Sequence, residues 1–124
     1  MKYETNITDI EGKIVSEITG AKSDSEELTI SFVDGCSIRF FHEQDCCENV
    51  RISDIVGDFS EFVGQPITGI SERSNGGDTD YGTETWTFYE FTYPKGSVTV
   101  RWLGESNGYY SERVEWEIKK EETK

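Results

Sequence analysis

The sequence predicts an α+β domain: a largely antiparallel sheet of about six or seven strands with one or two short helices against it. Three observations carry this. Apolar and polar residues alternate over most of the chain, as on half-buried strands. Turn residues interrupt the alternation at Val33-Asp34-Gly35, Pro94-Lys95-Gly96 and Glu105 to Gly108. One segment, Ser53 to Gly64, has helical spacing instead.

The elements follow in order. Ile14, Val15 and Ile18 open a β-compatible stretch that ends near Gly20. Leu28, Ile30 and Phe32 mark a strand, and Cys36, Ile38 and Phe40 mark the next. A two-residue Asp34-Gly35 turn would set Ile30 opposite Arg39. A three-residue loop with Gly35 left-handed sets Ile30 opposite Ile38 and keeps the apolar face together, so the longer loop is expected. In the helical segment Ile55, Phe59, Phe62 and Val63 share one face. Ser53 or Asp54 would cap its start, and Gly64 with Pro66 would end it.

Ile67 to Glu72 reads as a short strand, and Ser74 to Thr83 as a mobile loop of Gly, Asp and Asn. Thr85 to Tyr93 is a ring-rich strand. Trp86 and Phe88 fall on one face, Tyr89, Phe91 and Tyr93 on the other. Val98, Val100 and Trp102 form the apolar face of the following strand. Tyr110, Val114, Trp116 and Ile118 form that of the last. Aligning Val114 with Trp102 sets Arg101 opposite Glu115, with Arg113 nearby on the same face.

Length and composition bound the rest. The 124 residues fit one domain, with a charged tail over residues 119–124 expected to fray. Hydrophobic residues are only 34% while aromatic residues reach 13%, so a core of a few large rings is expected. The net charge of -13 repels nucleic acid and favours solubility. No apolar run is long enough to span a membrane. Three Cys without a secretion signal point to reduced thiols in a cytoplasm.

Against that charge, all five Arg lie in the interior: Arg39, Arg51, Arg73, Arg101 and Arg113. Each either pairs with a Glu across strands or helps build a local cationic pocket. With Tyr89, Phe91 and Tyr109, the guanidinium groups of Arg73, Arg101 and Arg113 suit a phosphate and a stacked base.

The densest reactive cluster is His42-Glu43-Gln44-Asp45-Cys46-Cys47-Glu48. A metal reading uses His42, Cys46, Cys47 and Cys36, but adjacent Cys side chains cannot easily share one ion. A nucleophile reading pairs Cys46 or Cys47 with His42. The structural reading, preferred here, takes Asp45 and Glu48 as a helix capping box and the Cys as small packed side chains. The Asn75 to Asp80 run lacks the Lys-Ser/Thr ending of a phosphate loop and the ligand spacing of a calcium loop. No catalytic residue, metal or cofactor is therefore assigned.

Several of these pieces resemble an uncharacterised family of small phage and prophage proteins with an Asp-Cys-Cys-Glu signature. They are His42 to Glu48, Asp54-Ile55-Val56-Gly57-Asp58, Gly64-Gln65-Pro66-Ile67, Trp86-Thr87-Phe88-Tyr89, and Val100-Arg101-Trp102 through Ser106 to Ser111. The resemblance runs from about Leu28 to Trp116. In size, prophage-like character and Arg/aromatic content the chain is also similar to the Thoeris anti-defence sponges, with no binding residue carried over. That likeness implies a non-enzymatic phage protein in the host bacterial cytoplasm, one that sequesters a small cyclic nucleotide-type ligand uncleaved; because a thin sheet domain offers little depth, the site is expected between subunits of a homo-oligomer. The alternative is an acidic nucleic-acid mimic that inhibits a host defence protein.

Overall fold

In the computed structural model, residues 6–44, 47–79, 82–108 and 111–119 are described. They form eight strands in two four-stranded antiparallel sheets. The first sheet runs β1 (Val15–Thr19), β2 (Glu27–Phe32), β3 (Ser37–Phe41), β8 (Glu115–Lys119). The second runs β4 (Asn49–Val56), β7 (Gly96–Ser106), β6 (Gly82–Tyr93), β5 (Gly69–Thr79). The helical elements among the described residues are two 3-10 turns, Ile7–Ile10 and Phe59–Glu61. The architecture is therefore largely β, and the expected α component is absent among these residues.

The two sheets bury their apolar faces against each other. Leu28, Ile30, Ile38 and Phe40 come from the first sheet, and Ile52, Tyr89, Phe91, Val98, Val100 and Trp102 from the second. Phe40 bridges them, its ring 4.7 Å from Tyr89 and 5.7 Å from Phe91. Phe59 and Phe62 close one end, at 5.8 Å and 6.5 Å from Phe91. The core is mixed: large rings sit at its centre, as expected, but Ile, Val and Leu make up most of it.

The β2–β3 hairpin has the expected register, Ile30 opposite Ile38, with Gly35 at φ 92°. Phe32 and Cys36 close the three-residue loop: the Phe32 N–H donates to the Cys36 carbonyl at 2.8 Å.

Four expectations are corrected. The segment Ser53 to Gly64 is not a helix. Its first part is the end of β4, where Ile52, Ile55 and Val56 pair with Trp102, Val100 and Thr99 across a bulge. A long partner strand outweighs marginal helix propensity, and Gly57 ends β4 at φ 112°. A Cβ there would lie 2.9 Å from the Ser97 carbonyl oxygen, so only glycine fits this approach. Asp58 then caps a single turn, accepting from the Ser60 N–H at 2.9 Å. The turn still buries Phe59 and Phe62, while Val63 is exposed.

The stretch from Ser74 to Thr79 is not a loop. It continues β5, with Ser74 opposite Thr87, Asn75 opposite Trp86 and Gly77 opposite Glu84. Ladder bonds to β6 override the turn-forming composition, and Asp80 lies outside the described residues. Arg101 does not face Glu115, because β7 and β8 belong to different sheets and β8 pairs with β3. Finally, the thiols are not all reduced: Cys36 is free, but Cys47 is disulfide-bonded.

Candidate functional site

Period-two alternation along β6 sends its rings to two environments. Tyr89, Phe91 and Tyr93 point inward and are buried. Trp86 and Phe88 point outward and stay half-buried, stacked at 6.4 Å with 14° between their planes. Strand register then flanks Phe88 with cations. Arg73 of β5 lies opposite Phe88, Phe88 opposite Arg101 of β7, and Arg101 opposite Asp54 of β4. The adjacent row reads Asn75, Trp86, Leu103, Arg51. Arg51, Arg73 and Arg101 thus share the outer face with the two rings.

The three differ in how far they are engaged. Arg101 forks onto Asp54, its Nε 2.6 Å from Oδ1 while Nη2 meets Oδ2. That guanidinium holds the Asp54 carboxyl below its ordinary range. Arg51 donates from Nη1 to Glu105 at 3.0 Å and to Asn49 at 2.8 Å. Arg73 has no carboxylate partner among the described residues. Its guanidinium carbon lies 6.0 Å from the Phe88 ring centroid. Arg73, Ser74, Asn75 and Phe88 line an open groove of about 530 Å³. A stacked ring pair beside one uncommitted guanidinium can hold a flat π-system and an attached anion.

The structure divides the residues expected to bind. Arg73 and Arg101 come together around Phe88. Arg113 stands apart, in a cleft between the sheets, near enough to Tyr89 to act on its hydroxyl electrostatically. Tyr89 and Phe91 are core residues with no ring face exposed. Burial, and then donation to Glu72, push the Tyr89 phenol far above its ordinary value. Tyr109 lies outside the described residues. Trp86 and Phe88 are the rings the sequence reading passed over. Their signal was present in the alternation along β6, but which face met the core depended on the other sheet.

The remaining Arg is structural: Arg39 bridges Glu27 at 2.5 Å and Glu117 at 2.7 Å across the first sheet.

The His42 to Glu48 cluster is structural too, but not as a capping box. No helix follows Glu48, because β4 begins at Asn49. It is buried, and its Oε2 lies 2.7 Å from His42 Nε2. His42 Nδ1 lies 2.7 Å from the Arg113 carbonyl oxygen, which can only accept, so Nδ1 carries a hydrogen. The pair ties the end of β3 to the starts of β4 and β8. Asp45 and Cys46 lie outside the described residues. Among the described residues, no three His, Cys, Asp or Glu side chains are grouped to hold a metal ion. Among them also, no helix is long and apolar enough to cross a membrane.

No curated protein and no solved structure matches the chain. One family does, over residues 8–116, which takes in all but the end of the two-sheet architecture and every residue of the outer face. The chain belongs to that family, described as a domain of unknown function, DUF7448.

Proposed function

We propose that this protein binds, without cleaving, a small cyclic nucleotide-type ligand on the outer face of the second sheet. Trp86 and Phe88 stack on the base, and Arg73 with Arg101 meets the phosphates. The observation that carries this reading is the cross-strand row Arg73, Phe88, Arg101, with Arg73 uncommitted. The face is open, so a second copy of the chain completes the site, and the working form is a homo-oligomer. In a phage-infected bacterial cytoplasm, such capture withdraws a defence signal. The net charge of -13 slows encounter with an anion, but a local guanidinium still gives affinity once the ligand arrives.

Calorimetry with cyclic ADP-ribose variants and cyclic dinucleotides tests this. Saturable binding is expected, with the ligand recovered intact. Arg73→Ala and Phe88→Ala should each weaken it by roughly tenfold or more. Silence from every such ligand would sink the reading.

A second reading, an acidic inhibitor docking on a basic groove of a host defence protein, draws on the other sheet. Its outer side carries Glu17, Glu27, Glu115 and Glu117 against Arg39 and Lys119. That reading expects a co-purifying protein released by high salt.

A further inference from the structure

On the side of β5 and β6 opposite the aromatic row, a cleft opens between the sheets. Its cavity of about 380 Å³ is lined by Glu72, Thr85, Glu112 and Arg113, among others. A neighbouring cavity of about 330 Å³ shares Glu72 and Arg113 and adds Trp116. We propose that this cleft is a second binding site, for a neutral polyhydroxylated ligand of mono- or disaccharide size.

The hydrogen-bonding polarity of the walls points to that class. Glu112 is a buried carboxylate that receives three hydroxyl hydrogens: Thr83 and Ser106 at 2.5 Å and Thr85 at 2.7 Å. Burial alone would push its carboxyl up, but these bonds outweigh it and hold the group ionised. Because the Thr85 hydrogen is committed to Glu112, Thr85 offers the cleft only lone pairs. The Tyr89 hydrogen is likewise committed to Glu72, whose other oxygen still accepts. The wall from β5 and β6 therefore presents acceptors at Glu72 and Thr85, beside the Ser74 and Thr87 hydroxyls, which can accept or donate. The opposite wall presents Arg113, a pure donor with no carboxylate partner among the described residues. Its chain is positioned by the His42 bond to its carbonyl. Hydroxyl groups suit both walls at once, donating to one and accepting from the other.

Charge narrows the choice further. Glu72 and Glu112 line the same cavity as Arg113, so the cleft disfavours an anion, and Arg113 disfavours a bare amine. A neutral ligand also escapes the repulsion of the -13 field. Trp116 supplies an apolar ring for the C–H face of a sugar.

The three Trp give a direct test, because Trp86 stands on the outer face, Trp102 in the core and Trp116 at the cleft. The full ¹⁵N-labelled chain is titrated with glucose, maltose, cellobiose, sucrose and, for contrast, the zwitterion alanine. At least one sugar should move the Trp116 indole N–H to saturation while Trp86 and Trp102 stay in place. Glu72→Gln and Arg113→Gln should each weaken that response about tenfold, with the Trp102 signal reporting an intact fold. No Trp116 response to any sugar at about 50 mM, a response that both variants leave unchanged, or tighter binding of alanine would each overturn the proposal. None of these outcomes touches the outer face, so this site stands or falls apart from the nucleotide reading.

Discussion

The two faces of β6 carry the same kind of side chain and do opposite things. On the inner face, Tyr89, Phe91 and Tyr93 are held by Phe40 of the first sheet and Phe62 at the end of the 3-10 turn. On the outer face, Trp86 and Phe88 stack on each other, Arg73 lies by Phe88 and Glu84 accepts from the Trp86 N–H, and both rings remain half-buried. Composition does not separate a core ring from a binding ring. What separates them is whether a second layer covers the face, and that is decided by residues far away in sequence, chiefly Phe40, Phe59 and Phe62.

Substitutions can break this contrast, and the inner face should suffer most. Phe91→Ala leaves a cavity among three rings and is expected to cost about 3–5 kcal/mol, measured by urea unfolding. Phe88→Ala should cost about 1 kcal/mol or less in the same assay while removing ligand binding. If both lose comparable stability, the outer ring is structural and the contrast fails.

Glu112→Gln should rank next, at roughly 1–3 kcal/mol near neutral pH, because three hydroxyl donors lose their charged acceptor. The sign of its pH dependence follows from a folded value held below the ordinary 4.5. Its stabilising contribution is complete above 4.5 and drains as pH falls through the lower folded value. The variant should therefore show a flatter stability profile on the acid side, read by thermal unfolding across pH.

Tyr89→Phe should be milder, about 1–2 kcal/mol, since the ring still packs and only the bond to Glu72 is lost. Smallest of all, Arg101→Ala should barely change stability, because its pairing with Asp54 is exposed to solvent. Its effect is expected in ligand affinity instead.

How much of this was legible in the sequence follows from where the information lies. The β2–β3 register was readable because Asp34-Gly35 sets the loop and the apolar residues must share a face. The inner row of β7 is readable from alternation alone, whereas on β6 alternation separates two sets of rings without saying which meets the core. The end of β4 was not: Asp54 to Val63 fits a helix locally, and only pairing with Val100 and Thr99 makes it a strand. The arm of β5 was hidden for the same reason, since Ser74 to Thr79 has turn composition and takes its strand form from β6. Glu115 looks like the partner of Arg101 only if sequential strands are neighbours, whereas β8 crosses back to the first sheet. Arg73 and Arg101 were named from residue type, but their convergence on Phe88 required the register of β5, β6 and β7 together.

The most direct measurement is the indole region of a ¹⁵N-labelled spectrum during titration with cyclic ADP-ribose variants and cyclic dinucleotides. The Trp86 N–H, which donates to Glu84 at 3.1 Å beside the Phe88 ring, should shift to saturation with at least one of them while buried Trp102 stays fixed. A Trp86 signal that stays still with every such ligand, in a folded protein, would contradict the assignment of the outer face as the binding site.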